Sequence, residues 1–119
     1  MRHHNSVRKF GRESNQRLAL IRSLAKNLIL NGRIMTTVAR AKEVRPFVEK
    51  LVTKSRTDSL ATRRYLVSHL ALGDDAEPMT KLMTDLAPKY KERAGGYTRI
   101  VKVNARKGDA SPMAVIEFV

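Results

Sequence analysis

The chain has 119 residues, with 24 Lys and Arg, 11 Asp and Glu and no Cys, for a formal net charge of +13. That length fits one domain. Lack of Cys excludes a disulfide framework, a thiolate zinc site, an iron–sulfur cluster and a Cys nucleophile. Leu, Ile, Val and Phe number 30 of the 119 residues, above the ~20% under which chains stay disordered, so most of the chain is expected to fold.

Residues 1–14 offer only Val7 and Phe10 as large apolar side chains beyond Met1, amid Arg2, His3, His4, Arg8, Lys9, Gly11 and Arg12. Such a stretch buries too little to offset its ordering entropy, and it is expected to be a basic arm, mobile until it binds. No apolar run and small-residue cleavage site follow the basic start, so a secretory signal is not expected. Residues 1–30 are basic enough for a transit peptide, but so short a chain has little to spare for removal, and a reducing cytosol is the expected compartment.

A helix should follow, with Ser14 as its N-cap. Ile21, Leu24, Ala25 and Leu28 recur at i, i+3, i+4 and i+7 and make one apolar face, while Arg22 and Lys26 share another. Leu18–Leu30 is the best candidate for a membrane span, but Arg22, Lys26 and Asn27 break it well short of ~20 apolar residues. Asn31-Gly32 supplies the stop, Gly32 being able to take the left-handed conformation. Residues 33–37, Arg-Ile-Met-Thr-Thr, read as a single strand. A second helix starts near Thr37, a possible N-cap, and Ala41, Val44, Val48, Leu51 and Val52 carry its period to about Arg56. Pro46 removes a backbone donor and clashes with the preceding turn, so a kink or a restart at Arg45 is expected.

Asp58-Ser59 can cap a third helix running to about Leu72, with Val67, Leu70 and Ala71 on its inner face. Gly73-Asp74-Asp75 is a loop, and Pro78 suits the first turn of a fourth helix. Met79, Leu82, Met83 and Leu86 form its apolar face, and Pro88 ends or bends it. After Gly95-Gly96 the period becomes two: Tyr97, Arg99, Val101 and Val103 alternate with Thr98, Ile100, Lys102 and Asn104. A turn at 107–112 leads to a strand from Met113 to Val119, with Ala114, Ile116 and Phe118 on one face, completing an antiparallel hairpin. The expected fold is α+β: a basic arm (1–14), then one domain (15–119) of two layers, about four helices packed on a small sheet.

Charge is concentrated at the two ends of the sequence. Residues 1–45 carry net +9, residues 46–92 net +1 and residues 93–119 net +3. Crowded like charges destabilise a compact state unless a polyanion neutralises them. A nucleic acid, an anionic membrane surface or an acidic protein would do so; the bland alternative is a solvated basic face.

Enzymatic chemistry finds little support. His3 and His4 lie on the arm, where no packed shell holds catalytic geometry. His69 sits among Leu66, Val67 and Leu70 as a helix residue, and Asp74-Asp75 read as capping rather than metal ligands. No Walker-type loop, Gly-x-Ser-x-Gly or His-Glu-x-x-His occurs. Met1-Arg2-His3 with a free amino terminus could wrap Cu(II) or Ni(II) in a square of nitrogens, an accidental match in this reading. No cofactor and no metal are expected.

Nucleic-acid binding fits better. The six aromatics are scattered, unlike the clustered platforms on which single-strand binders stack bases. Arg and Lys lie instead on the arm (Arg2, Arg8, Lys9, Arg12), on helix faces (Arg17, Arg22, Lys26, Arg40, Lys42) and around Arg93-Ala94-Gly95-Gly96-Tyr97-Thr98-Arg99. That distribution suits phosphate contacts and recognition of a folded RNA by shape. Two glycines allow a phosphate to approach the backbone closely, and successive amides can form an anion-binding nest. Arg93 and Arg99 flank them, and Arg binds phosphate bidentately. A plain Gly-Gly turn into a strand accounts for this stretch equally well.

These residues also resemble a known family. Met1-Arg2-His3 with Arg8-Lys9 and Arg17 looks like the start of the bacterial large-subunit ribosomal protein L-seventeen. Gly32-Arg33-Ile34, Thr36-Thr37 and Ala41-Lys42-Glu43 are similar to its first strand and second helix. Arg93 with Gly95-Gly96-Tyr97-Thr98-Arg99-Ile100 resembles its most specific motif, and Gly108-Asp109 with Pro112-Met113-Ala114 its closing hairpin. The resemblance covers essentially the whole chain. It implies a structural, non-enzymatic protein, monomeric within the ribosome, bound to large-subunit ribosomal RNA near the rim of the peptide exit tunnel and touching neighbouring ribosomal proteins. No membrane and no small-molecule substrate are implied. By position, it places Arg2, His3, Arg8, Lys9, Arg17, Arg33, Thr36, Thr37, Lys42, Arg93, Gly95, Gly96, Tyr97, Thr98 and Arg99 in or near the RNA contact. A DNA-binding regulator, with Arg63-Arg64 of the third helix in a groove, is the alternative.

Overall fold

The computed structural model describes residues 3, 4 and 6–119. In chain order the elements are α1 (Ser14–Asn31), β1 (Arg33–Thr37), α2 (Val38–Ser55), α3 (Leu60–Leu70), a fourth helical stretch, β2 (Thr98–Val103) and β3 (Met113–Phe118). The fourth stretch is composite: α4 (Glu77–Lys81), a π-helical turn (Leu82–Leu86) and α5 (Ala87–Lys89). The helices pack on a three-stranded antiparallel sheet of order β1-β3-β2, the α+β architecture expected.

The last strand in sequence is thus the middle strand in space. Ile34, Ile116 and Ile100 form one cross-strand row, because Ile116 is paired with both neighbours. This row and Ala114 face the helices. On the helical side lie Ala25, Leu28 and Ile29 of α1, Val44, Val48, Leu51 and Val52 of α2, and Leu66 and Leu70 of α3, all buried. Tyr90 donates from its hydroxyl to the Val119 carbonyl at 2.7 Å, and the Val119 N–H donates to the Tyr97 carbonyl at 2.9 Å, which fastens the C-terminus to the sheet.

Local signals explain most boundaries. Gly32 takes φ +80° and donates to the Leu28 carbonyl, ending α1 as its sequence implies. Thr37 accepts from the Arg40 N–H and caps α2, and Ser59 accepts from the Thr62 N–H and caps α3. Three expectations need correction. Ser14 is already inside α1; Glu13 is the capping residue and makes no side-chain cap bond. Helix α2 runs through Pro46 without restarting. The bond Pro46 cannot make would have used the carbonyl of Lys42, an exposed residue that water can satisfy. Helix α3 ends at Leu70, with Ala71 left-handed at φ +50°. Its inner face is Thr62, Leu66 and Leu70, whereas Val67 and Ala71 are exposed. Near Pro88 the fourth helix bends its hydrogen bonding rather than stopping. The Ala87 N–H reaches back to Leu82, one residue beyond the α pattern, just before the position where proline has no donor.

Candidate nucleic-acid interface

The Gly-Gly turn is held by one stripe of α2. Arg45, Glu49, Thr53 and Arg56 lie about one turn apart, and all four reach the segment 93–98. Glu49 Oε1 accepts from the Thr98 N–H at 3.2 Å and from its hydroxyl at 2.9 Å. Arg45 Nη2 donates to the Thr98 carbonyl at 3.3 Å. Thr53 Oγ1 is 3.0 Å from the Tyr97 hydroxyl, and Arg56 Nη1 donates both to that hydroxyl and to the Arg93 carbonyl at 3.0 Å. The Thr53 hydroxyl, helped by Arg56, draws the Tyr97 phenol below its ordinary pKa despite burial and the nearby Glu49 charge. Gly95 and Gly96 have φ +112° and +62°, and no atom lies within 4 Å of where a Cβ would stand on either. Both glycines are therefore required by conformation and open to solvent. Their N–H groups donate to no protein acceptor among the described residues.

Tyr97 and Thr98 are 1% and 2% exposed and Thr36 is 6% exposed. These three, expected in the RNA contact, are buried: they hold the turn and the sheet and do not face outward. Arg93 and Gly96 do face outward. These four residues, three on α2 and Arg56 just after it, escaped the sequence reading. Their spacing marks a polar stripe beside the apolar one, but nothing in the sequence says that the stripe meets residues 93–98.

The arm and its neighbours form a second basic group, at the other end of α2. Arg8 Nη1 donates to Glu43 Oε1 at 2.8 Å and lines a crevice with Thr37, Val38 and Pro112. Arg12 Nη1 donates to the Phe10 carbonyl at 2.9 Å and Arg17 Nη1 to the Arg12 carbonyl at 3.3 Å. His3, Lys9 and Lys42 are exposed, and Arg40 is half-buried beside the α2 cap. Arg2, and the Met1-Arg2-His3 chelate with it, lie outside the described residues. Glu43, Pro46, Lys50 and Thr53 follow one another along a single face of α2. The arm contact at Glu43 and the Thr53 contact with the Gly-Gly turn thus lie about 15 Å apart along α2, at 1.5 Å per residue.

The remaining expected cations are engaged elsewhere. Arg22 Nε donates to the His69 carbonyl at 2.9 Å and Lys26 Nζ to the Ala71 carbonyl at 3.4 Å, at the negative C-terminal end of α3. On the outer sheet face Glu117 lies between Arg99, at 2.7 Å, and Arg33, at 3.8 Å. The Arg99 hydrogen bond, with the Arg99 and Arg33 charges, holds the Glu117 carboxyl below its usual value against a smaller opposing effect of burial. Among the described residues no three His, Asp or Glu gather as a metal site, and no helix is long and apolar enough to cross a membrane. Asp75 accepts from the Glu77 N–H at 3.2 Å within its own loop, while Ala76 is the capping residue of α4.

The chain is a small α+β structural domain with exposed cations and an open glycine turn at the two ends of one helix. Comparison with known proteins gives the family. Residues 20–119 match the family model for Ribosomal protein L17. The chain is 52% identical over 120 residues to large ribosomal subunit protein bL17 of Nautilia profundicola, covering 100% of this chain and 98% of that one. It is 50% identical over 119 residues to the bL17 of Gemmatimonas aurantiaca, covering 100% and 98%. To that of Shouchella clausii it is 49% identical over 118 residues, covering 93% and 97%. The chain belongs to the ribosomal protein L17 family and is a structural constituent of the large ribosomal subunit.

Proposed function

We propose that the chain binds folded ribosomal RNA of the large subunit through phosphate contacts, from its basic arm at one end of α2 and from the Gly-Gly turn with Arg93 at the other. The observation that carries this reading is the pair of glycine amides that meet no protein acceptor among the described residues, held at the other end of α2 from the arm. Arm cations neutralise phosphates where RNA helices pack, and the domain fixes the arm's point of entry. Arg22, Lys26, Arg33 and Arg99 are each bonded within the protein and reach RNA only by exchanging those partners. The protein acts as a monomer and without catalysis, alongside other large-subunit proteins. A place near the rim of the peptide exit tunnel is what the family resemblance implies.

The DNA-binding alternative gains nothing from the structure. Of its two expected groove readers, Arg63 and Arg64, Arg63 forms a bidentate pair with Asp58 at 3.0 and 3.1 Å at the start of its own helix. The deciding experiment is sedimentation of a gentle magnesium-containing lysate through sucrose. The protein should travel with the large subunit and stay there through moderate salt. Recovery at the top of the gradient, or with the chromosome, would reject the proposal.

A further inference from the structure

A groove of about 410 Å³ opens between α2 and the Gly-Gly turn, lined by Lys50, Thr53, Lys54, Tyr65, Gly95 and Tyr97 among others. Its size lies within the ~300–1,000 Å³ of small-ligand sites. Of its residues, only Gly95 and Tyr97 belong to the motif by which the chain resembles its family. Lys50 and Lys54 stand exposed at its rim, and neither has a carboxylate within 4.0 Å among the described residues. Tyr65 is half-buried, with one face stacked on His69 at 3.8 Å between centroids. The Lys54 ammonium lies over the ring at 5.3 Å. Glu49 also lines the groove, with one oxygen held by Thr98.

We infer that this groove seats a single unstacked nucleotide of ribosomal RNA, its base against Tyr65 and its phosphate between Lys50, Lys54 and the Gly95 end of the glycine turn. The inference rests on the RNA-binding reading above. RNA is read in detail where bases leave the helix and lie on aromatic or guanidinium planes, and a nucleotide supplies both things the groove asks for: an anion for the rim and a flat face for the wall. An acidic peptide would satisfy the lysines alone and would meet the Glu49 carboxylate inside, whereas a base can offer Glu49 an exocyclic amine. Lys54 is the movable part. It is long and exposed, and an exposed cation over a ring is weakly held. A phosphate that takes its ammonium uncovers the Tyr65 face on which the base then lies.

The test uses the full chain and large-subunit ribosomal RNA. Tyr65→Leu should weaken binding roughly tenfold, as loss of a base–aromatic stack does, with the salt dependence unchanged. Lys50→Met with Lys54→Met should instead lower the salt slope by roughly 0.7–0.9 for each phosphate no longer neutralised. Ultraviolet cross-linking of the wild-type complex should join one nucleotide to the peptide holding Tyr65 or Gly95. Thermal unfolding checks that each variant folds; should Tyr65→Leu not fold, the lysine pair and the cross-link still decide. If wild-type protein binds the RNA but the variants bind it equally well, or if the groove cross-links to another protein in the assembled subunit, the groove assignment falls and the RNA-binding reading survives. If wild-type protein does not bind the RNA, both fall together.

Discussion

Glu117 shows what single residues contribute here. A carboxylate between two guanidinium groups makes both arginines poorer phosphate ligands and better clamps on the sheet. Its folded pKa is lowered, so the stability it contributes is present above the ordinary glutamate value and lost as pH falls through the lowered folded value. Arg99→Met should raise the Glu117 midpoint, read by carboxyl NMR titration, toward that of an ordinary glutamate; an unmoved midpoint would mean that the ion pair does not form in solution. Gly95 makes the opposite kind of contribution, since it touches nothing at its missing Cβ and is needed for its φ of +112°. Gly95→Ala should cost ~1–3 kcal/mol of backbone strain in thermal or denaturant unfolding. No loss there would mean that the turn relaxes to another conformation. The sequence showed these glycines; it did not show which arginine beside them was already neutralised.

At the scale of elements, helix α2 is the organiser. Its apolar stripe enters the core, one polar stripe grips residues 93–98, and a third face carries the arm contact and the groove. Because Thr37 starts it through a side-chain cap, Thr37→Ala should destabilise the protein by about 1 kcal/mol in chemical denaturation, within a range of ~0.5–2. Helix α3 depends on Leu66, which is fully buried; Leu66→Ala should cost ~2–5 kcal/mol. Val67→Ala should cost far less, because Val67 is 38% exposed. Equal losses at the two positions would contradict the helix's orientation. Periodicity pointed to Val67 with Leu70 and Ala71, and only the packing of α3 against α1 and α2 shows that the adjacent Leu66 is the residue that enters the core.

For the whole molecule, the decisive quantity is how the surplus of positive charge is spread over the surface. RNA binding should weaken steeply with salt, the slope growing by ~0.7–0.9 per phosphate contacted; filter binding across a salt series measures it, and a flat series would remove phosphate contact as the mechanism. Deleting residues 1–14 should lower that slope while leaving the thermal midpoint little changed. The arm's ion pair to the domain, Arg8 with Glu43, is partly exposed, and exposed pairs contribute ~0–1 kcal/mol. A large drop in the midpoint would show that Phe10 and its neighbours pack as part of the core.

The sequence by itself determined the element order, the helix stop at Gly32, the caps at Thr37 and Ser59, the closing hairpin and the surplus of positive charge. Each of these is written in near neighbours or in charge, which need no knowledge of what lies across the fold. Only the tertiary structure decided that β3 enters between β1 and β2, that Tyr97, Thr98 and Thr36 turn inward, and that Arg45, Glu49, Thr53 and Arg56 hold the glycine turn. The physical reason is separation along the chain: Glu49 and Thr98 are 49 residues apart. Whether a polar side chain spends its hydrogen bonds on the protein or on a ligand depends on which distant backbone the core brings beside it.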